Sequence, residues 1–154
     1  WVVHTRSQER APVKLGPAAA VDGALLSNGC QIEGAVERSV LSPGVQVGEG
    51  ALVRDSVILN DTIIESGAVV ERCVIDKEVR ICQDAHIGHS DNNNPNPELP
   101  ARLNTGLSLV GKGSLVPAAA RLGRNVVIHP YSGAEAFGNG KGVDSGTSIG
   151  SNLR

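Results

Sequence analysis

From Leu15 to Ile87 an aliphatic residue returns about every six positions: Leu15, Val21, Leu26, Ile32, Val36, Leu41, Val47, Val53, Ile58, Ile64, Val70, Ile75, Ile81 and Ile87. Two places before most of them stands a small residue, as at Ala19, Ala24, Cys30, Gly34, Ser39, Ala51, Ser56, Thr62, Ala68, Cys73 and Ala85. Side chains alternate across a strand, so the aliphatic residue and its small partner point the same way. That way is inward, with the small residue near a corner where room is short. A hexapeptide period of this kind predicts an all-β, parallel β-helix in which three units close one triangular coil of about 18 residues. Five-residue steps recur at one corner, which predicts a tighter turn along one edge of the prism. The four-residue step from Ile32 to Val36 reads as a deletion in one corner.

Three residues after an aliphatic position comes the turn. Those positions are Ala18, Gly29, Gly44, Gly50, Asp61, Gly67, Glu78, Asp84, Gly113, Ala119 and Asn125, mostly residues that tolerate positive φ. The rhythm breaks over residues 89–106, where His89-Ser90-Asp91-Asn92-Asn93-Asn94-Pro95-Asn96-Pro97 excludes a strand or helix interior. A long loop thrown out from one corner is expected there. Val110, Val116, Leu122 and Ile128 then resume the six-residue spacing. After Pro130 the pattern fades, and Thr147-Ser148-Ile149-Gly150 reads as one last rung. The expected organisation is a connector over 1–14 and a β-helix over 15–154 with its loop at 89–106.

Composition agrees with such a stack. Trp1, Tyr131 and Phe137 are the only aromatic residues in 154, and 19 glycines suit many tight corners. A formal net charge of −2 with mixed signs argues against a strongly electrostatic nucleic-acid footprint. No apolar run approaches the ~18 residues of a membrane span. Three cysteines cannot pair completely, and Cys30 and Cys73 fall at inward small positions, with Cys82 near a turn. Free buried thiols suit a reducing cytoplasm.

Few residues announce chemistry. His86 and His89 form a His-x-x-His pair, but no Cys or acidic partner has a convincing spacing for zinc, which needs three or four convergent ligands. A zinc hydratase on this scaffold would require stoichiometric metal; no metal site is expected. His4 or His129 could serve as the lone base of a hexapeptide-repeat acyltransferase, which is the alternative reading. Lys77 and Lys112 sit just beyond inward aliphatic residues, so both should face solvent at corners as point charges for phosphate, with Arg80 and Arg124 as possible contributors. No nucleotide-binding glycine loop, nucleophile elbow or paired carboxylates of defensible geometry are present.

Several strings nevertheless resemble one family. Trp1-Val2-Val3-His4-Thr5, Leu25-Leu26-Ser27-Asn28-Gly29-Cys30-Gln31-Ile32, Val36-Glu37-Arg38-Ser39-Val40-Leu41, Cys73-Val74-Ile75-Asp76-Lys77 and Asn104-Thr105-Gly106-Leu107-Ser108-Leu109-Val110-Gly111-Lys112 are similar to the C-terminal domain of glucose-1-phosphate adenylyltransferase (ADP-glucose pyrophosphorylase). The resemblance implies a left-handed parallel β-helix. It implies a parent enzyme that joins ATP and glucose 1-phosphate into ADP-glucose and pyrophosphate for glycogen synthesis. Catalysis with Mg²⁺ would belong to an N-terminal nucleotidyltransferase domain. The role implied for this chain is homo-oligomer assembly, a tetramer in the parent, and allosteric control by an anionic small molecule. Activator-site lysines of related plant enzymes match Lys77 and Lys112. An arginine that some bacterial relatives carry near the position of Gly44 is absent. No catalytic residue and no cofactor are expected within the chain itself.

Overall fold

A computed structural model describes residues 9–138 and 142–150. The strings that begin at Trp1, including His4, lie outside them.

The chain winds through three parallel sheets in rotation, one strand per sheet per coil. The first face stacks Lys14–Leu15, Gln31–Ile32, Gln46–Val47, Ile63–Ile64, Arg80–Ile81 and Leu115–Val116. The second face runs from Ala20–Asp22 through Ala35–Glu37, Leu52–Arg54, Val69–Glu71, His86–Ile87 and Arg121–Leu122 to Gly142–Val143. The third runs from Leu25–Leu26 through Val40–Leu41, Val57–Ile58, Cys73–Ile75, Ser108–Val110 and Val127–Ile128 to Ser148–Ile149. This is the parallel β-helix that the hexapeptide spacing predicts. Its first rung already includes Lys14, which pairs with Gln31.

Inside, the periodic residues stack on themselves. Ile32, Val47, Ile64, Ile81 and Val116 form one inner column, and Leu41, Ile58, Ile75, Val110 and Ile128 another. All are essentially fully buried. Each such side chain contributes roughly 1.5–3 kcal/mol by leaving water, and only its neighbours above and below supply the cover. The first rung shows the consequence, because the inward Leu15 and Val21 have no coil beneath them among the described residues and stay exposed.

Ten of the eleven anticipated turn residues do adopt positive φ, Glu78 and Ala119 included; Ala18 does not. The five-residue steps fall at the corner between the second and third faces. There the chain turns on single residues, Gly23, Arg38, Asp55 and Arg72, all left-handed. At the four-residue step a Cβ on Gly34 would lie 2.4 Å from the Ala51 carbonyl oxygen, so only glycine admits the shortened corner.

The loop leaves the second face after Ile87 and returns to the third face at Ser108, and it is anchored. Asn96 is fully buried and its Nδ2 donates to the Asn125 carbonyl and to Ser148 Oγ. Asn125 Nδ2 donates to the Asn94 carbonyl, and Asn125 Oδ1 accepts from the Gly106 N–H. With Leu103 buried as well, the insertion is strapped along the corner of the upper coils. The fading tail holds a 3₁₀ turn over Ala134–Phe137, and the expected last rung forms at Ser148–Ile149.

Candidate functional site

The corner between the third and first faces carries both predicted lysines. Ile75 pairs with Val110 in register, and the Gly113 N–H donates to the Lys77 carbonyl at 3.0 Å. Lys77 and Lys112 therefore occupy the same corner on consecutive rungs, about 4.8 Å apart along the axis. The register between coils brings them together although the long loop sets them 35 residues apart in sequence. Each precedes a left-handed residue, Glu78 or Gly113, and the turn turns the side chain outward. Asp76 Oδ1 accepts from the Lys77 N–H at 2.7 Å and fixes that turn. Lys112 Nζ lies 3.5 Å from Glu78 Oε1, while Lys77 has no carboxylate within 4.0 Å among the described residues.

Lower on the same corner stands Arg10, a residue the repeat gives no reason to single out. Its guanidinium grips Asp61 through two hydrogen bonds of 2.6 and 2.9 Å. It lies over Gly44, where any side chain would collide with it. That bond holds the Asp61 carboxyl below its usual range. A cation from the lead-in thus covers the turn at Gly44.

The other anticipated contributors are elsewhere. Arg80 lies on the outer first face, 3.5 Å from Glu65. Arg124 sits on the opposite edge of the third face, near Gly106. Neither joins the lysines.

That opposite, tighter corner is the second polar feature. Glu37-Arg38, Arg54-Asp55 and Glu71-Arg72 follow one another up the stack, so each charge faces its opposite one rung away. Arg38 Nε donates to Asp55 at 2.7 Å, and Arg54 pairs with Glu71. The 17-residue recurrence of these dipeptides is the signal that could have revealed the ladder. Beneath it runs a second ladder. Ser39, Ser56 and Cys73 each donate to the carbonyl two residues back, and Ser39 Oγ and Ser56 Oγ each accept the backbone N–H one rung up. The small positions here are chosen for hydrogen bonding as well as for size. Burial pushes the Cys73 thiol far above its ordinary value, which keeps it protonated.

His86 points outward from the second face, and its ring centroid lies 4.6 Å from that of His89 with the two planes tilted by 54°. Arg121 Nη1 donates to His86 Nδ1 at 3.1 Å, leaving Nε2–H directed at Glu71, 3.6 Å away. Burial, and then the neighbouring His89, lower the His86 pKa. His129 is buried, and its Nε2 meets Glu98 of the loop at 3.2 Å. It acts as a peg for the strap.

These features define a class: a hexapeptide-repeat β-helix whose interior is sealed and whose polar groups sit on corners. The chain belongs to the GlmU-like, C-terminal hexapeptide family, whose model matches residues 13–110. Its curated relatives are named glucose-1-phosphate adenylyltransferase, as the sequence strings suggested. One from Thermomicrobium roseum is 51% identical over 131 residues, covering 84% of this chain and 31% of that protein. One from Acetivibrio thermocellus is 35% identical, covering 89% and 32%. One from Fervidobacterium nodosum is 32% identical, covering 97% and 34%. The chain thus spans about a third of the length of these relatives. The acetyltransferase domain of PglB from Neisseria gonorrhoeae aligns over 94% of this chain and 57% of its own at 16% identity and a TM-score of 0.37, and carries no argument about function.

Proposed function

We propose that this chain is the assembly and allosteric β-helix of a glucose-1-phosphate adenylyltransferase. In this reading ATP, glucose 1-phosphate and Mg²⁺ bind an N-terminal catalytic domain. An anionic effector binds between that domain and the corner of Lys77 and Lys112. The observation that carries the reading is the stacking of those two lysines on consecutive rungs, in a chain whose curated relatives bear that enzyme's name. Two ammonium groups one rung apart match the oxygens of one phosphoryl group, and Lys77 has no competing carboxylate among the described residues. The effector acts as a population shift, favouring the arrangement it binds best.

Assembly into a homo-oligomer finds support on the outer third face. Leu25, Val40, Val57, Val74, Leu109 and Val127 align there in one row, where the first face offers Lys14, Gln31, Gln46, Ile63, Arg80 and Leu115. A tetramer in the cytoplasm is the form this reading assigns to the parent enzyme.

The test uses the enzyme in which this chain accompanies its catalytic domain. Reversing charge with Lys77→Glu and Lys112→Glu raises the effector concentration for half-activation by about tenfold or more, the scale of a typical coupling energy. An unchanged half-activation concentration would defeat the proposal.

A further inference from the structure

The cleft where the long loop meets the tight corner is lined by four arginines, Arg38, Arg54, Arg72 and Arg124, together with Asp55, Glu71, Gly88 and Gly106. Its acids are already engaged: Asp55 by Arg38, and Glu71 by Arg54. The two remaining guanidiniums have no such partner. Arg72 has no carboxylate within 4.0 Å among the described residues. Arg124 reaches only Asp91, at 3.8 Å, and the Asp91 side chain is fully exposed.

Three further observations make this more than a basic surface. The Arg72 and Arg124 side chains flank the same glycine: a Cβ on Gly106 would lie 3.6 Å from Arg72 Nη1 and 3.3 Å from Arg124 Cδ. Arg124 is held there in a partly buried state, its side chain 23% exposed. A guanidinium withdrawn from water without a close counter-charge carries a desolvation cost that an anion relieves. Finally, the cavity holds about 190 Å³, which suits one phosphoryl group and not a nucleotide.

We propose that Arg72 and Arg124 form an anion site for a phosphate or phosphomonoester at the root of the 89–106 loop. The site lies across the third face from Lys77 and Lys112 and goes beyond the effector reading above. Two planar guanidiniums present paired donors to phosphoryl oxygens, which is the geometry arginine favours over lysine. Because Gly106 closes the loop and Arg124 lies beside it, occupancy ties the returning end of the loop to the ladder below.

The test is calorimetric titration of the 154-residue chain with inorganic phosphate. Saturable binding is expected, with Arg72→Gln plus Arg124→Gln weakening it at least about tenfold. Arg72→Lys plus Arg124→Lys keeps the charge and weakens it less, and serves should the glutamine pair fail to fold; circular dichroism checks this. Lys77→Gln plus Lys112→Gln leaves phosphate binding unchanged, so failure here is separable from failure of the effector reading. A sugar phosphate run in parallel tells the source: tighter binding than phosphate assigns an ester, equal binding the free ion, and both retain the site. Absence of saturable binding, equal affinity in both arginine variants, or loss only in the lysine variant would overturn the proposal.

Discussion

On one edge of the third face the chain turns on a single left-handed residue, Gly23, Arg38, Asp55 or Arg72. On the other it turns through an extra residue before the left-handed one, at Gly29, Gly44, Asp61, Glu78, Gly113 and Tyr131. The shorter turn leaves backbone groups that the coil cannot pair by itself. Ser39, Ser56 and Cys73 complete them from inside, and opposite charges stack outside. At the longer turn the small residues reach upward instead, Cys30, Thr62 and Ser114 donating to the carbonyls of Ser42, Asp76 and His129 one rung up, and Lys77 is left without a carboxylate partner among the described residues. The lesson is that one repeat builds two unlike corners, with side-chain bonds running back to the residue's own turn on one edge and up to the next rung on the other, although both flank the same strands of two or three residues.

The largest effect belongs to the tight corner. Ser56→Ala removes a donor to the partly buried Arg54 carbonyl and the acceptor for the buried Cys73 N–H, and should cost about 1–3 kcal/mol in urea unfolding. Ser56→Cys should recover part of this, since Cys73 makes the same bond one rung higher. A loss equal to that of alanine would show that size alone matters at this position.

At the wider corner the expected cost is smaller and comes from the backbone. Gly113 has φ +66, and a Cβ would meet the Tyr131 ring at 2.7 Å. Gly113→Ala should destabilise by about 1–2 kcal/mol, with the exposed ring shifting aside. Pairing it with Tyr131→Ala should leave only the left-handed strain, measurable as a partial recovery of the melting temperature.

Smaller still is the pH dependence, which both corners share. The Arg38 hydrogen bond lowers the Asp55 pKa, and the Arg10 hydrogen bond lowers that of Asp61. A carboxyl depressed in the folded state stabilises above its unfolded value of about 3.9 and loses that contribution as pH falls through the folded value. Asp55→Asn and Asp61→Asn should each make stability less sensitive to pH below about 4. Both pairs are exposed, so the change is slight and shows only in the acid limb of a melting series. Equal acid limbs in wild type and both variants would deny the pairs any energetic role.

The least effect on stability is expected from Lys77→Gln with Lys112→Gln, within about 0.5 kcal/mol. A clear loss would mean the lysines hold the corner together, which would blur the division between the two edges.

Much of this was legible in the chain. The columns of Ile and Val, the left-handed turn positions, the shortened corner at Gly34 and the place of the loop follow from spacing alone. The outward corner positions of Lys77 and Lys112 followed from spacing as well, and only their reading as an effector site came from a resemblance in local strings. The hydroxyl ladder did not, because Ser39, Ser56 and Cys73 look like mere small residues until the single-residue turn shows which carbonyls they face. Arg10 did not, because it precedes the first strand of the repeat and its partner Asp61 lies 51 residues further on. Asn96 did not, because an Asn/Pro-rich loop gives no sign of which asparagine is buried.

By itself the sequence determined the rungs: a side chain's inward or outward sense depends only on its own strand and its distance from the next turn. Only the tertiary structure decided which corner residues are neighbours. Between ordinary coils the stacking separation is 17, and across the loop it becomes 35, so the insertion resets every contact above it. Lys77 meets the level of Lys112, and Arg124 comes to rest beside Gly106, because hydrogen-bond register between coils fixes neighbours in space that the chain keeps far apart.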